Sequence, residues 1–314
     1  MNQIFSVAFI VQLLASTLRM ATPVLYAGLG ETFSQRAGIT NIGIEGIMMI
    51  GACTGFVGAS VTGSLFWGLL IAIASGILIN SLFAIGTIVF HGNQIVLGTA
   101  LNILAAGLST FLYRGVFGIL SVPETINGFG RIPIPLLSQI PILGDVLFNQ
   151  NILVYAALLL VPACSFFLYR TKAGLKLRAV GEHPRAADSM GIDVYGQRFI
   201  GCILGGMLCG IGGMYLSVAY MNSYVDNIVS GRGFIALAAV IFGKWDPKGV
   251  LFATLLFGFA DALQLRAQAI GLGIPYQFML MVPYVVTLAA MILVVGKSSG
   301  PKANGTNYLR DGKY

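Results

Sequence analysis

The sequence predicts an all-α polytopic membrane protein of about 8–10 transmembrane helices, in a single domain over residues 1–314, with one short helix on the cytoplasmic face. Three observations predict it. Hydrophobic residues make up 57% and charged residues 9% of the chain, with a mean hydropathy of +0.86, whereas a soluble domain is about half apolar and a quarter charged. Charge-poor windows recur along the whole length, most of them meeting the roughly 20 residues needed to cross a hydrocarbon core about 30 Å thick. The basic residues are gathered into a few loops, as in proteins whose cytoplasmic loops collect Lys and Arg.

Taken in order, the spans are expected near 5–28, 44–62, 65–89, 95–117, 150–169, 197–221, 230–243, 250–265 and 275–296. The first opens without Lys or Arg ahead of its apolar run and without a small-residue cleavage site, so it reads as a retained helix rather than a signal peptide. The connection from about 119 to 149 carries only Glu124, Arg131 and Asp145 among four prolines and belongs outside. The 230–243 segment is short and Gly-flanked, a pattern that half-helices buried in protein also show. Nine crossings with the N-terminus outside leave the tail 297–314, with Lys297, Lys302, Arg310 and Lys313, in the cytoplasm of a bacterial-type inner membrane.

The stretch "RTKAGLKLRAVGEHPRAADSMGIDVYGQR" (170–198) holds six basic and three acidic residues of a charge-poor chain. Within it, Pro184 suits a first helical turn and Gly191 a C-terminal cap, which predicts a short helix too polar to insert. Composition fits either an ordinary solvated inside loop or an element that docks a soluble partner. The formal charge of +7 is spread over loops, so no nucleic-acid surface is implied. Four cysteines inside apolar runs form no metal spacing and read as small packing residues. There is no G-x-x-x-x-G-K-[ST] loop and no nucleophile, base and orienter set, so the chain carries neither ATP chemistry by that route nor a catalytic site.

Three stretches carry a resemblance: "GLGETFSQRAGITNIGIEGIMMIGA" (28–52), "AVGEHPRAADSMGI" (179–192) and "GRGFIALAAVIFGKWDPKG" (231–249). Together they resemble the permease subunits of ATP-binding-cassette importers, in the branch serving branched-chain amino acids, simple sugars and nucleosides. The resemblance implies that a segment of about 175–193, with Glu182, Pro184, Arg185, Ala186, Ala187, Asp188 and Gly191, couples to a cytoplasmic ATPase that binds ATP and Mg. Where the family's coupling pattern has an acidic residue before the two alanines, this chain has Arg185. It also implies an extracytoplasmic substrate-binding protein and a second, related permease. The wording of the first and last stretches favours nucleosides, ahead of simple sugars such as ribose and then branched-chain amino acids.

Polar groups at membrane depth are costly and face a protein interior or a water cavity. Asn41 and Glu45, four apart, are expected on one helical face, and Asp261 with Gln264 forms an i, i+3 pair. Gln94 and Asn102 can both donate and accept, as a nucleobase or sugar requires. Tyr224, with Tyr220 and Phe234, is expected toward the outer side, where it could stack on a planar ring or belong to an interfacial belt. Each of these residues could line a substrate path or hold helices together. Gly51-x-x-x-Gly55 and Gly206-x-x-x-Gly210 predict closely packed helices. An ion-coupled secondary transporter, the rival class, needs inverted repeats and a buried acidic relay. No repeat is clear, and only Glu45 and Asp261 could serve.

Overall fold

The computed structural model describes residues 7–135, 137–270 and 300–310, with isolated positions between 277 and 289. Its elements are α1 (Val7–Arg36), α2 (Ile44–Thr62), α3 (Leu65–Ala84), α4 (Gln94–Phe117), β1 (Arg131–Pro133), α5 (Leu143–Leu147), β2 (Asn149–Asn151), α6 (Ile152–Arg170), α7 (Lys172–Glu182), α8 (Pro184–Ser189), α9 (Val194–Met214), α10 (Arg232–Phe242) and α11 (Pro247–Ile270). Single π-helical turns, Ile85–Val89 and Tyr215–Tyr220, continue α3 and α9. Among the described residues seven helices are long and apolar enough to cross a membrane: α1, α2, α3, α4, α6, α9 and α11. The expected span at 275–296 falls largely outside the described residues.

Helix α9 is the centre of the bundle, packed against α1, α2 and α3. Its glycines allow this. A Cβ at Gly210 would overlap the Ala72 carbonyl of α3, and one at Gly213 the Met48 carbonyl of α2. The Gly51 and Gly206 positions answer Gly210 and Gly76 in the same way, so the two expected motifs meet each other across α2, α3 and α9. All four cysteines are free and buried.

The 230–243 segment forms an 11-residue helix, roughly 16 Å long at 1.5 Å per residue. That is about half a hydrocarbon core, so α10 does not span alone. The chain reaches its start through residues 221–231, where Asn222, Asn227 and Ser230 adopt positive φ. Part of this non-helical backbone is tied to protein: Asn222 O accepts from Ile126 N–H at 3.0 Å, and Tyr224, Ile228 and Val229 are buried, while Met221, Asn222, Asp226, Asn227 and Ser230 are exposed. Irregular backbone at membrane depth is tolerated where it is buried in protein or borders a water-filled cavity.

Two boundaries differ from expectation. Helix α1 runs on to Arg36 instead of stopping near 28, because Glu31 and Gln35 are satisfied inside the protein. The charged stretch 170–198 is not one loop but two helices, α7 and α8, followed by the first turn of α9. Leu177 and Val180 bury one side of α7, and Arg198, counted above among the loop charges, is 1% exposed.

Candidate functional site

The turn between α1 and α2, residues 37–43, gathers three of the polar residues singled out above: Asn41, Gln94 and Asn102. Its backbone cannot complete helical hydrogen bonds, so side chains from α1, α3 and α4, with Asn41 of the turn itself, form a network around it. Glu31, one turn before the end of α1, accepts from Gln35 Nε2 at 2.9 Å and from Asn41 N–H at 2.9 Å. Asn41 Oδ1 accepts from Gly43 N–H at 2.7 Å, and its Nδ2 donates to Asn80 Oδ1 on α3 at 2.8 Å. Asn80 in turn donates to the Cys202 carbonyl of α9. Gln94 Oε1 accepts from Thr40 N–H at 2.8 Å. Asn102 Oδ1 accepts from Gly46 N–H at 2.7 Å while its Nδ2 donates to Ile42 O at 3.0 Å.

Glu45 performs a different task. Its two carboxylate oxygens accept from Gly231 and Gly233 N–H, both at 2.7 Å. It thereby caps the positive end of the half-helix α10, the favoured place for a buried anion. A Cβ at Gly233 would overlap the Glu45 backbone, which explains the glycine. Asn41 and Glu45 do not share a helical face as expected. Helix α2 begins at Ile44, so Asn41 lies in the turn and faces α3, while Glu45 faces α10.

The other candidates lie apart. Tyr224 is 1% exposed and packs its ring 5.0 Å from that of Tyr113, in a cluster completed by Phe56 and Phe117. Burial against these rings, not an interfacial belt, accounts for it. Phe234 sits in the first turn of α10, level with Glu45 rather than toward the outer side. Asp261 and Gln264 stand on α11, part-exposed, and Arg232 lies within electrostatic reach of both Asp261 and Glu45. Glu31, Gln35 and Asn80 complete the lattice but were missed. The i, i+4 spacing of Glu31 and Gln35 was the available signal.

The second constellation is the tip formed by α7 and α8. As expected, α8 starts on Pro184 and ends before Gly191, whose φ is +77°. Ala187 is buried against Val180, Val194 and Tyr308. Arg185, Ala186 and Ser189 face outward, and Met190 is 81% exposed. The Asp188 carboxylate is turned inward, where one oxygen accepts from Tyr308 Oη at 2.8 Å and Arg310 Nε at 3.2 Å. Gly181, at the end of α7, lies directly on the Arg36 carbonyl that ends α1. The tip therefore rests on the α1–α2 turn. At the opposite end of the bundle a polar cleft of about 520 Å³ is lined by Arg19, Asn127, Arg131, Asn151, Tyr220 and Asn222.

Among the described residues no group of His, Cys, Asp and Glu could hold a metal ion. Comparison with known proteins gives the arrangement its setting. Residues 13–295 match the family model described as "Branched-chain amino acid transport system / permease component". The chain is 39% identical to the guanosine ABC transporter permease protein NupQ of Bacillus subtilis, over 96% of this chain and 98% of that one. It is 38% identical to the nucleoside ABC transporter permease protein NupC of Lactococcus lactis, over 95% and 96%. A Haloferax volcanii chain named "Putative glucose ABC transporter permease protein TsgC13" is 41% identical over 85% and 81%. With seven long apolar helices around a glycine-lined α9 and a match over nearly its whole length, this chain belongs to the branched-chain amino acid transport permease family of ATP-binding-cassette systems.

Proposed function

We propose that the chain is the permease subunit of an ATP-driven importer of nucleosides. The near full-length likeness to NupQ and NupC carries the substrate class. ATP and Mg belong to a separate ATPase that grips α8 through Arg185, Ala186 and the Pro184 and Gly191 ends. That places α7, α8 and the tail in the cytoplasm and the polar cleft around Arg19 and Arg131 toward an extracytoplasmic substrate-binding protein. A second, related permease completes the path. Asn41, Glu45, Gln94 and Asn102 hold the α1–α2 turn and the start of α10, Tyr224 is buried in its aromatic cluster, and the path is left to the part-exposed Asp261 and Gln264. ATP binding then acts by favouring one of two arrangements of the bundle, through contacts that differ between them.

A simple sugar is the second reading, favoured by the likeness to TsgC13. Uptake of labelled guanosine, uridine and adenosine by cells with and without the chain separates the two, with excess glucose, ribose and leucine as competitors. Loss of nucleoside uptake on deletion, indifferent to all three competitors, supports nucleosides. Intact nucleoside uptake with glucose or ribose uptake lost instead would replace the substrate and keep the permease.

A further inference from the structure

Residues 300–310 form a strap across the charged end of the bundle. Ala303 N–H donates to Gly181 O at the end of α7 (2.9 Å), and Gly305 N–H donates to Gly38 O in the α1–α2 turn (3.2 Å). The Asn304 side chain accepts from Thr40 Oγ1 at 2.9 Å and donates to Gln35 Oε1 at 3.3 Å. Asn307 donates to the His91 and Gly92 carbonyls between α3 and α4. Tyr308, buried against Val180, Ala187 and Val194, donates to Asp188 beside Arg310. The strap is thus joined by hydrogen bonds to α7, α8, the α1–α2 turn and the α3–α4 connection at once.

Between strap and tip lies a cleft of about 420 Å³ lined by Glu182, His183, Arg185, Lys302, Thr306 and Asn307. Its charge balance follows from the contacts. Among the described residues of the lining Glu182 is the acidic group against Arg185 and Lys302, both exposed, while Asp188 is turned away beside Arg310. A cationic, solvent-open cleft pairs with carboxylates, and such complementarity sets partner choice more than it adds raw affinity.

We infer that the strap and α8 form one composite docking surface for the ATPase, in which the Arg185–Lys302 cleft receives an acidic side chain from the rim of the ATPase. The inference rests on the importer reading and adds two things to it. It assigns residues 300–310 to the interface, and it states the charge of the partner's contact. Because the same strap bonds Gly38, Thr40 and Gln35, a load taken at the cleft reaches the α1–α2 turn directly as well as through Gly181.

The test is retention of the cognate ATPase by purified, tagged full-length chain at several NaCl concentrations, with two charge reversals and one neutralisation. Lys302→Glu is expected to raise the Kd at least tenfold at low salt, and Lys302→Gln to act less. Lys248→Glu, an exposed lysine at the same end on the first turn of α11, is expected to leave the Kd unchanged. Wild-type retention should weaken as salt rises. Equal retention by Lys302→Glu and wild type overturns the inference, as does an equal loss from Lys248→Glu, which would mark a general charge effect. A wild-type chain that retains no ATPase at any salt overturns the importer reading instead.

Discussion

Glu45 shows what a single buried residue does here. It ends two orphan N–H groups of α10 with one carboxylate, and leaving a buried donor unsatisfied costs about 1–3 kcal/mol. Glu45→Ala is therefore expected to lower the thermal midpoint clearly, with Glu45→Gln losing less because its amide oxygen still accepts. If Ala and Gln unfold at the wild-type temperature, the cap is not structural. Glycine at the α2–α9 contact makes the same point by volume. Gly213→Ala would drive its Cβ into the Met48 carbonyl, and overpacking of this kind costs typically about 1–3 kcal/mol. Gly107→Ala, on α4 with open space around it, should leave the unfolding curve in place. At this scale the sequence showed that Asn41, Glu45, Gln94 and Asn102 matter, since polar groups in apolar runs stand out. It could not show most of their partners, because Asn80, Gly231, Gly233, Thr40 and Ile42 lie far along the chain from the side chains they meet.

Among the elements, α10 and α8 are both short, and each depends on something outside itself. Helix α8 ends in a left-handed residue at Gly191, with nothing within 4 Å of where a Cβ would sit. Strain, not space, is what a substitution would meet there, about 1–2 kcal/mol for a residue with a Cβ. Gly191→Val is expected to weaken ATPase retention while Gly191→Asn, which tolerates that conformation, keeps most of it. Equal retention by both would remove the cap from the docking geometry. Burial, with the Asp188 carboxylate beside its hydroxyl, holds the Tyr308 phenol above its ordinary value. A raised pKa means this contact is fully made below the unfolded value near 10 and lost only as pH rises through the higher folded value. ATPase retention should accordingly show no step from Tyr308 between pH 6 and 9, and Tyr308→Phe should weaken it at every pH in that range. Pro184 and Gly191, at the two ends of α8, were legible as punctuation. Helix α7 and the strap were not, because α7 is held by the ends of α6, α1 and α9 and the strap by α7, α8, the α1–α2 turn and the α3–α4 connection.

For the whole molecule, the membrane reading fixes which ends lie together. The α2–α3 turn at Gly63 stands at one end, and Met190 and Lys302 at the other. Single cysteines placed at Gly63 and Met190 should be labelled by a membrane-impermeant reagent from opposite sides in intact cells, the first directly and the second only after permeabilisation. Labelling of both from one side would overturn the orientation. The helical, polytopic character, the positions of the long spans and the short polar helix from Pro184 to its Gly191 cap followed from the chain alone, since transfer free energy, charge placement and Pro/Gly chemistry are local properties. The half-length of α10, the cap that Glu45 provides, the inward turn of Asp188 and the strap at 300–310 were settled by folding. The last three consist of bonds between groups far apart along the chain, and only the packing of the helices brings those groups within reach.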